Sequence, residues 1–393
     1  MKRIGKYILI IAGIYIVYFI TGVILVQLHV VDKWHIAPGG IFTNTGGSHH
    51  GTAAAGVDGP YIFYTDNNTI IKSIIRSGTG YKGVSGTFDN KSEITIICNF
   101  EENARWNFTT TLRDTIGIEP STYPEPDSLI AISDIEGEFG AFRKLLIANN
   151  VINEDYEWTF GTGHLVLAGD FFDRGIHVTE TLWLIYHLEQ QAMQHLGKVH
   201  FTLGNHELMN MQDDIRYVSN KYLENAKLID TDYKAWFDQG TELGNWLATK
   251  NVIERIGKTL FVHAGIAKEI NDLSLSIEAI NEKCRQYYFT NKEQLKTIPD
   301  ENTRLLFASA TSPFWYRGYP KQEADQEQVN TTLKQYNANK IVIGHTTVDN
   351  VSTYYNGHII NIDTKHAQGN SQGLFYSSGI YYKISMNGTK IKL

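Results

Sequence analysis

Positions 169–175 read GDFFDRG and directly follow the apolar run HLVLA at positions 164–168. A short apolar run that ends in glycine is typical of a buried strand followed by a turn. The charged side chains of this stretch therefore stand at the carboxyl end of a strand, where open α/β sheets bind their ligands. Asp170 follows the strand directly and can bridge two cations, whereas Arg174 offers a planar fork that suits phosphate oxygens.

Each of four other short motifs also follows an apolar run. They read DIEG at 134–137, GNHE at 204–207, HAG at 263–265 and GHT at 344–346. One such motif would mean little, because an aspartate at a strand end is commonly a turn residue or a helix cap. Five motifs point to one site, since the carboxyl ends of the strands share one edge of the sheet.

Outside these motifs, the sequence from about residue 129 onward predicts a layered α/β core, because runs of valine, isoleucine and leucine alternate with helical stretches. We expect helices at 139–149 and 178–194, and antiparallel closing strands at 359–362 and 380–384. The other core strands are predicted at 129–132, 164–168, 199–203, 260–262 and 340–343.

The five motifs offer six ligands for two divalent cations. Asp134 and Glu136 alternate along an extended strand end, so both can face one ion while Ile135 faces the core. Two cations about 3.5–4 Å apart stabilise the attacking and the leaving oxygen of an in-line displacement. The predicted ligands are Asp134, Glu136, Asp170, Asn205, His263 and His345.

The same motifs supply groups for proton transfer and phosphate binding. His206 adjoins the Asn205 ligand and could protonate the leaving alkoxide as a general acid, with Asp173 orienting its imidazole. Arg174 and the later Arg317 are predicted to bind phosphate oxygens, with the Asn205 side chain beside them.

These motifs resemble those of the phosphoprotein phosphatase family of calcineurin-like metallophosphoesterases, and most of all its bacterial-type Shewanella-like branch. The family pattern is GDxHG, GDxxDRG, GNHE, HG or HA and a late GHT, and the resemblance covers roughly residues 128–366. It implies a four-layer α/β (α+β) fold in which a β-sandwich is flanked by helices. It also implies that one metal is held by Asp134, Asp170 and position 136, and the other by Asp170, Asn205, His263 and His345.

The sequence departs from the family pattern at Glu136, where the family has histidine, and at Ser133, where it has glycine. A carboxylate adds negative charge and a hard oxygen donor, which favours Mn²⁺ or Mg²⁺. We expect Mn²⁺, with Mg²⁺, Fe and Zn²⁺ as alternatives. Two readings of Glu136 stay open: it could leave the first metal site weak, or it could point away as a solvated or capping residue.

The sequence therefore predicts a metal-dependent phosphomonoesterase in which a two-metal-activated water attacks phosphorus directly. By the resemblance, the substrate is a phosphorylated protein or a small phosphoester. A nucleotide or dinucleoside polyphosphate hydrolase is the nearest enzymatic alternative. A catalytically weak binding protein on the same fold is an alternative of another class, motivated by Glu136, but the intact His206, Asp173, Arg174 and Arg317 favour the enzyme.

Residues 7–31 form an uncharged, largely apolar run that follows the basic residues Lys2, Arg3 and Lys6. Because about 20 apolar residues cross the hydrocarbon core, residues 1–31 are predicted to be a cytoplasmic tail and a single-pass transmembrane signal-anchor. The positive-inside rule then places the catalytic domain outside the cytoplasm, in the periplasm if the source is bacterial. A cleaved signal peptide is the alternative, although the run exceeds a typical signal-peptide core.

Between the anchor and the motifs lie a predicted linker at 32–59, rich in Gly, Ser, Thr and Ala, and a β-rich extension at 60–127. Strands of the extension are predicted at 61–64, 70–75, 93–98 and 106–110. The catalytic domain is predicted to span 128–393.

The composition argues against two classes of protein. A net charge of −7 disfavours a nucleic-acid partner, because such proteins are usually basic. Cys98 and Cys284 are the two cysteines of the chain and lack metal-type spacing, so we expect plain thiols rather than a disulfide framework.

Overall fold

The computed structural model describes Tyr18, the backbone of residues 33–36 and 40–43, and residues 55–66, 68–89, 91 and 94–393. Within these residues, no helix is both long enough and apolar enough to span a membrane. The predicted signal-anchor at 7–31, apart from Tyr18, lies outside the described residues, as does most of the predicted linker.

Two six-stranded sheets form the centre of the described fold. The order of the first sheet is β11 (Lys198–Phe201), β10 (His164–Leu167), β9 (Ser128–Ile132), β17 (Gln372–Ser377), β18 (Ile380–Ser385) and β19 (Lys390–Lys392). In this sheet, β9, β10 and β11 run parallel, while β17 pairs antiparallel with β9 and is followed by β18 and β19. The strands predicted at 129–132, 164–168, 199–203 and 380–384 are confirmed in this sheet, and those predicted at 260–262 and 340–343 are confirmed in the second sheet.

The order of the second sheet is β15 (Ser352–Tyr354), β16 (Ile359–Asn361), β14 (Lys340–Ile343), β13 (Thr259–Val262), β12 (Ile253–Ile256) and β8 (Thr122–Tyr123). In this sheet, β14 runs parallel to β13 and β16, and β12 pairs antiparallel with β13. The strand predicted at 359–362 is present, but it is antiparallel only to β15.

Alternating side chains of the strands fill two apolar cores. Leu129 and Val166 of the first sheet pack with Phe261 and Val342 of the second, which joins the sheets face to face. Ile130, the next residue after Leu129, belongs to the larger core that the helices cover. Since successive strand side chains point to opposite faces, each sheet is buried on both sides. The result is the predicted order of helices, two sheets and helices.

The helices cover the outer faces of both sheets, and those predicted at 139–149 and 178–194 are confirmed. The earlier helices are α1 (Phe139–Ala148), α2 (Val178–Gln194), α3 (Asn205–Met211), α4 (Asn220–Leu228) and α5 (Glu242–Leu247). The later helices are α6 (Lys268–Asp272), α7 (Ile277–Arg285), α8 (Lys292–Lys296), α9 (Glu301–Leu305) and α10 (Gln326–Gln335). Short 3₁₀ helices occupy Ala104–Trp106, Tyr233–Trp236 and His366–Gln368.

The segment before the catalytic motifs forms small antiparallel sheets, as its hairpin pattern predicts. One sheet contains β3 (Asp58–Tyr64), β4 (Thr69–Ser77) and β5 (Gly80–Phe88), and a hairpin contains β6 (Thr95–Cys98) and β7 (Phe108–Thr111). The sequence missed β5, because its alternating glycine, serine and lysine residues weaken the strand signal. β1 (Lys33–Ile36) and β2 (Gly40–Thr43) also pair, within the predicted linker.

The extension shares its core with the catalytic part of the chain. The ring of Tyr61 lies 3.8 Å from that of Trp236, and its hydroxyl lies 2.9 Å from Thr179 Oγ1. The indole of Trp183 donates a 3.0 Å hydrogen bond to the Pro60 carbonyl. These contacts explain why α2 is buried on nearly all sides: the extension covers the face that the sheet leaves open.

Candidate active site

The five motifs lie where β9, β10, β11, β13 and β14 end, as the sequence predicted. Backbone hydrogen bonds join their loops: the Asp134 amide donates to Gly169 at 2.9 Å, and the Glu136 amide donates to Asp170 at 3.0 Å. The predicted extended path of 134–136 is wrong, because Asp134 and Glu136 have φ of 55° and 49°. This left-handed turn still buries Ile135 and points both carboxylates toward one cavity.

Two glycines make room for the carboxylates. A Cβ on Gly204 would lie 2.2 Å from Asp170 Oδ1, and a Cβ on Gly344 would lie 2.2 Å from Asp134 Oδ2. Any side chain at either position would displace an acidic group. The glycines of the GNHE and GHT motifs therefore admit the acidic side chains of the neighbouring loops.

Four acceptor atoms converge on one point. Asp170 Oδ2, Asn205 Oδ1 and His345 Nδ1 lie 3.1, 3.0 and 3.2 Å from His263 Nε2. His263 Nδ1 donates to the Ala168 carbonyl at 2.8 Å, so its Nε2 presents a lone pair to the other three atoms. Acceptors that face one another need a proton or a cation between them.

The electrostatics of these groups fit a cation. Burial alone would raise the pKa of Asp170, but the neighbouring His263 and His206 hold it below its ordinary value. Burial, together with His263, lowers the pKa of His345 to about 2 and keeps its imidazole neutral. Burial alone would lower the pKa of His263, but Asp170 raises it above its ordinary value, so a positive charge is favoured beside Asp170. An ionised carboxylate, an amide oxygen and imidazole nitrogens are the donors that divalent ions take in hydrolytic sites.

A second group of possible ligands lies on the other side of Asp170 and consists of Glu136, Asp170 and His206. Asp134 belongs to neither group, although it lines the same cavity as Glu136 and accepts the His345 amide at 3.1 Å. Burial, then Asp363 and Asp170, raise the pKa of Asp134 well above its ordinary value. This concentration of carboxylates would be relieved by a second cation.

Glu136 faces the site and does not cap a helix. Both carboxylate oxygens lie 2.5 Å from Arg174 Nη1, and Oε1 lies 3.9 Å from His206 Nε2. Burial raises the pKa of Glu136 to about 7, although Arg174 and His206 act to lower it. The reading in which Glu136 points away is therefore wrong.

His206 is held by a chain of buried hydrogen bonds. Its Nδ1 lies 2.5 Å from Asp173 Oδ2, and Asp173 Oδ1 accepts from Asn210 Nδ2 at 2.9 Å. The Tyr233 hydroxyl donates to Asn210 Oδ1 at 2.6 Å. Burial alone would lower the pKa of His206, but Asp170 and Asp173 raise it to about 9. The raised pKa favours the protonated imidazole, and Nε2 faces Asp170 and Glu136.

Arg174 and Arg317 approach the site from different loops. Arg174 extends over the ring of Tyr217, and its side chain is 43% exposed. Arg317 Nη1 donates to the His345 carbonyl at 2.9 Å and to Thr346 Oγ1 at 3.1 Å. Arg174 thus lies beside Glu136, and Arg317 lies beside the His345 loop.

Sequence reasoning missed three supporting carboxyl and amide groups. Glu207, quoted only as part of a motif, accepts the amides of Gly204, Asp170 and Phe171 at 2.7–2.8 Å and so fixes two motif loops. Asn210 holds Asp173. Asp363 follows the apolar run 359–362 and gives the same strand-end signal as the motifs; burial and then Glu136 raise its pKa to about 7.

Comparisons with known proteins identify the family of the chain. A sequence model of the family described as calcineurin-like phosphoesterase matches residues 128–349. An uncharacterised protein of Schizosaccharomyces pombe is 30% identical over 303 residues, which cover 72% of this chain and 82% of that protein. Shewanella-like protein phosphatase 1 of Plasmodium berghei is 26% identical over 288 residues, which cover 70% of this chain and 78% of that protein.

A solved structure also matches most of the chain. The cold-active protein-tyrosine phosphatase of a psychrophilic Shewanella species superposes with a TM-score of 0.78 at 31% sequence identity. The match covers 86% of this chain and 100% of that one. It therefore includes residues beyond the phosphoesterase motifs.

Proposed function

Because the chain belongs to the calcineurin-like phosphoesterase family and is thus a hydrolase of phosphate esters, we propose that it is a metal-dependent phosphomonoesterase that acts on phosphorylated proteins. One observation carries this proposal: the His206–Asp173 pair stands beside the acceptor cluster around His263, within reach of Arg174. A general acid, a cation site and an arginine are the groups that hydrolysis of a phosphomonoester requires.

Each group of side chains has a separate role in the proposed reaction. Two divalent ions held by the six predicted ligands would supply an activated water and balance the charge of the phosphoryl group. Arg174 and Arg317 would bind the phosphoryl oxygens through their planar forks. His206 Nε2 would give its proton to the leaving oxygen, while Asp173 holds the opposite ring nitrogen.

Mn²⁺ is the proposed ion at the side of Glu136. Asp134, Glu136 and Asp363 line one cavity of about 350 Å³, and all of them offer oxygen. Oxygen donors favour hard ions, whereas the imidazoles of His263 and His345 suit several transition metals. Metal content of the purified chain, measured by mass spectrometry, tests this choice, and zinc at both positions would contradict it.

The proposed substrate side chain is phosphotyrosine. Tyr217 and Trp315 place their rings 5.2 and 5.8 Å from those of His206 and His345, so aromatic surfaces flank the site. A phenyl phosphate could pack between them, because paired aromatic rings attract one another. The name of the similar Shewanella enzyme, a protein-tyrosine phosphatase, supports this choice. Equal kcat/KM on phosphotyrosyl and phosphothreonyl peptides of the same sequence would contradict it.

Activity of the full-length chain on p-nitrophenyl phosphate tests the proposed function. We expect turnover with Mn²⁺, less with other ions and none without metal, and loss of turnover in Asp170→Asn. Asp272→Asn, at an exposed carboxylate of α6, is the matched control and should keep the activity. Cleavage of a diester or a polyphosphate without cleavage of any phosphomonoester would reject the proposal.

We further propose that residues 7–31 anchor the chain in a membrane, with the catalytic part outside the cytoplasm. The support is the sequence alone: an uncharged run after Lys2, Arg3 and Lys6. Resistance of the cell-associated chain to alkaline carbonate extraction, and digestion of its catalytic part by protease added outside the inner membrane, are expected. Release of the chain by carbonate would contradict the anchor.

A further inference from the structure

Arg174 already has an anionic partner in this structure. Its Nη1 lies 2.5 Å from both oxygens of Glu136, and no other hydrogen bond of its guanidinium occurs among the described residues. One of the nitrogen atoms that would bind a phosphoryl group, Nη1, is therefore already bonded to a carboxylate of the chain itself, so the guanidinium cannot offer its full planar fork. A carboxylate and a phosphate present similar pairs of oxygens to a guanidinium, so they are alternative partners.

The backbone keeps these two side chains together. The Gly175 amide donates to the Glu136 carbonyl at 2.9 Å, and a Cβ on Gly175 would lie 2.5 Å from that oxygen. The Arg174 amide donates to the Tyr217 carbonyl at 3.0 Å, and the guanidinium extends over the Tyr217 ring. Because both loops are tied at the main chain, Glu136 cannot move away from Arg174 without a change of side-chain rotamer.

From this geometry we propose that Glu136 competes with the phosphoryl group for Arg174 and thereby lowers the affinity of the site for inorganic phosphate. The proposal rests on the proposed function, in which phosphate is the product. A histidine could not compete in this way, since it has no anionic oxygens. A carboxylate can contact Arg174 with one oxygen and a cation with the other. Binding of a cation by Glu136 should therefore make Arg174 more available to bind phosphate.

Phosphate affinity is the direct test. Calorimetric titration of the full-length, Mn²⁺-saturated chain with inorganic phosphate should show that Glu136→Gln binds about 10-fold to 100-fold more tightly, since hydrogen bonds to charged groups are worth that much. Glu138→Gln is the matched control, because Glu138 lines the same cavity and its charge is removed without touching Arg174. An equal gain in both variants would mean a general charge effect and would overturn the proposal.

A double-mutant cycle measures the coupling between Glu136 and Arg174. In the Arg174→Ala background, Glu136→Gln should change the phosphate affinity by less than about twofold, because the shared partner is gone. A gain as large as in the parent chain would overturn the proposal. The metal content of each variant is measured in the same samples, so that a gain is compared only between fully loaded proteins.

A measurement without metal separates this inference from the proposed function. Phenylglyoxal modifies free guanidinium groups, and the modified peptide that contains Arg174 can be quantified by mass spectrometry. Arg174 of the metal-free chain should react several-fold faster in Glu136→Gln than in the parent or in Glu138→Gln. Equal rates would overturn the competition even if the chain is a phosphatase. Faster labelling in Glu136→Gln without any phosphatase activity of the parent chain would support the contact between Glu136 and Arg174 but would reject the proposed function.

Discussion

His206 depends on Asp173 for its ring orientation. Asp173 Oδ2 lies 2.5 Å from Nδ1, which directs Nε2 toward Asp170 and Glu136. We expect Asp173→Asn to lower kcat by about 10²-fold to 10⁴-fold, the usual contribution of a positioned general acid. The loss should be larger for an alkyl phosphate than for p-nitrophenyl phosphate, because only the poor leaving group needs the proton. An equal loss on both substrates would contradict the acid role.

Single residues of the site were predictable when they lay inside a motif. Asp170, His206 and His263 each follow an apolar run within a few positions, so local sequence placed them at the strand ends. Asn210 and Tyr233 were not predictable, because they meet across 23 positions and only the folded chain shows that they support Asp173. The directions of the Asp134 and Glu136 side chains were not predictable either, because hydrogen bonds to another loop set the left-handed turn at 134–136.

At the scale of elements, β3 and α2 form one packed unit. Tyr61 of β3 is buried against Trp236 and Thr179. We expect Tyr61→Ala to lower the free energy of unfolding by about 3–5 kcal/mol, as truncation of a buried aromatic residue does. Ile97→Ala, at a 52% exposed position of the same extension, should change it by less than about 0.5 kcal/mol.

Denaturant unfolding followed by tryptophan fluorescence and by circular dichroism measures both variants. Because the extension shares the large core, we expect the two probes to give coincident transitions. A separate early transition that only Tyr61→Ala shifts would mean that the extension is an independent domain. The sequence predicted a small β-rich extension packed on the main domain, but it could not show how completely the extension would bury α2.

A buried polar chain links three strands away from the motifs. His164 of β10 contacts His200 of β11 at 2.9 Å, and His200 contacts Glu254 of β12 at 2.7 Å. Burial and then His200 lower the pKa of His164 from 6.5 to about 4. The unfolded chain therefore binds more protons between these pH values, so the free energy of unfolding should fall as pH falls from about 6.5 to 4.

Replacement of His164 tests this pH dependence. We expect His164→Gln to flatten the slope of the unfolding free energy over that range by on the order of 1 kcal/mol, after allowance for the partial exposure of the ring. His195→Gln removes an exposed histidine and should leave the slope unchanged. Denaturant titrations at several pH values measure the slope, and an unaltered slope in His164→Gln would reject the assignment.

At the scale of the whole molecule, the site joins the two sheets. Asp170 and Asn205 follow strands of the first sheet, whereas His263 and His345 follow strands of the second. The family resemblance was needed to predict this sandwich, because runs of apolar residues identify strands but not the sheet to which each one belongs. For example, β12 and β13 pair antiparallel inside a mainly parallel sheet. The apolar runs of these two strands do not indicate the direction in which they pair.

A cation held by residues of both sheets should stabilise the entire fold. Since a ligand that binds only the folded state stabilises it by mass action, Mn²⁺ at 100 times its dissociation constant should raise the free energy of unfolding by about 2.7 kcal/mol. Asp170→Asn should lose most of this gain, because Asp170 belongs to both groups of possible ligands. Asp272→Asn, on the surface of α6, should keep it. Denaturant unfolding with and without Mn²⁺ measures the effect, and an equal gain in Asp170→Asn would show that the ion acts elsewhere on the chain.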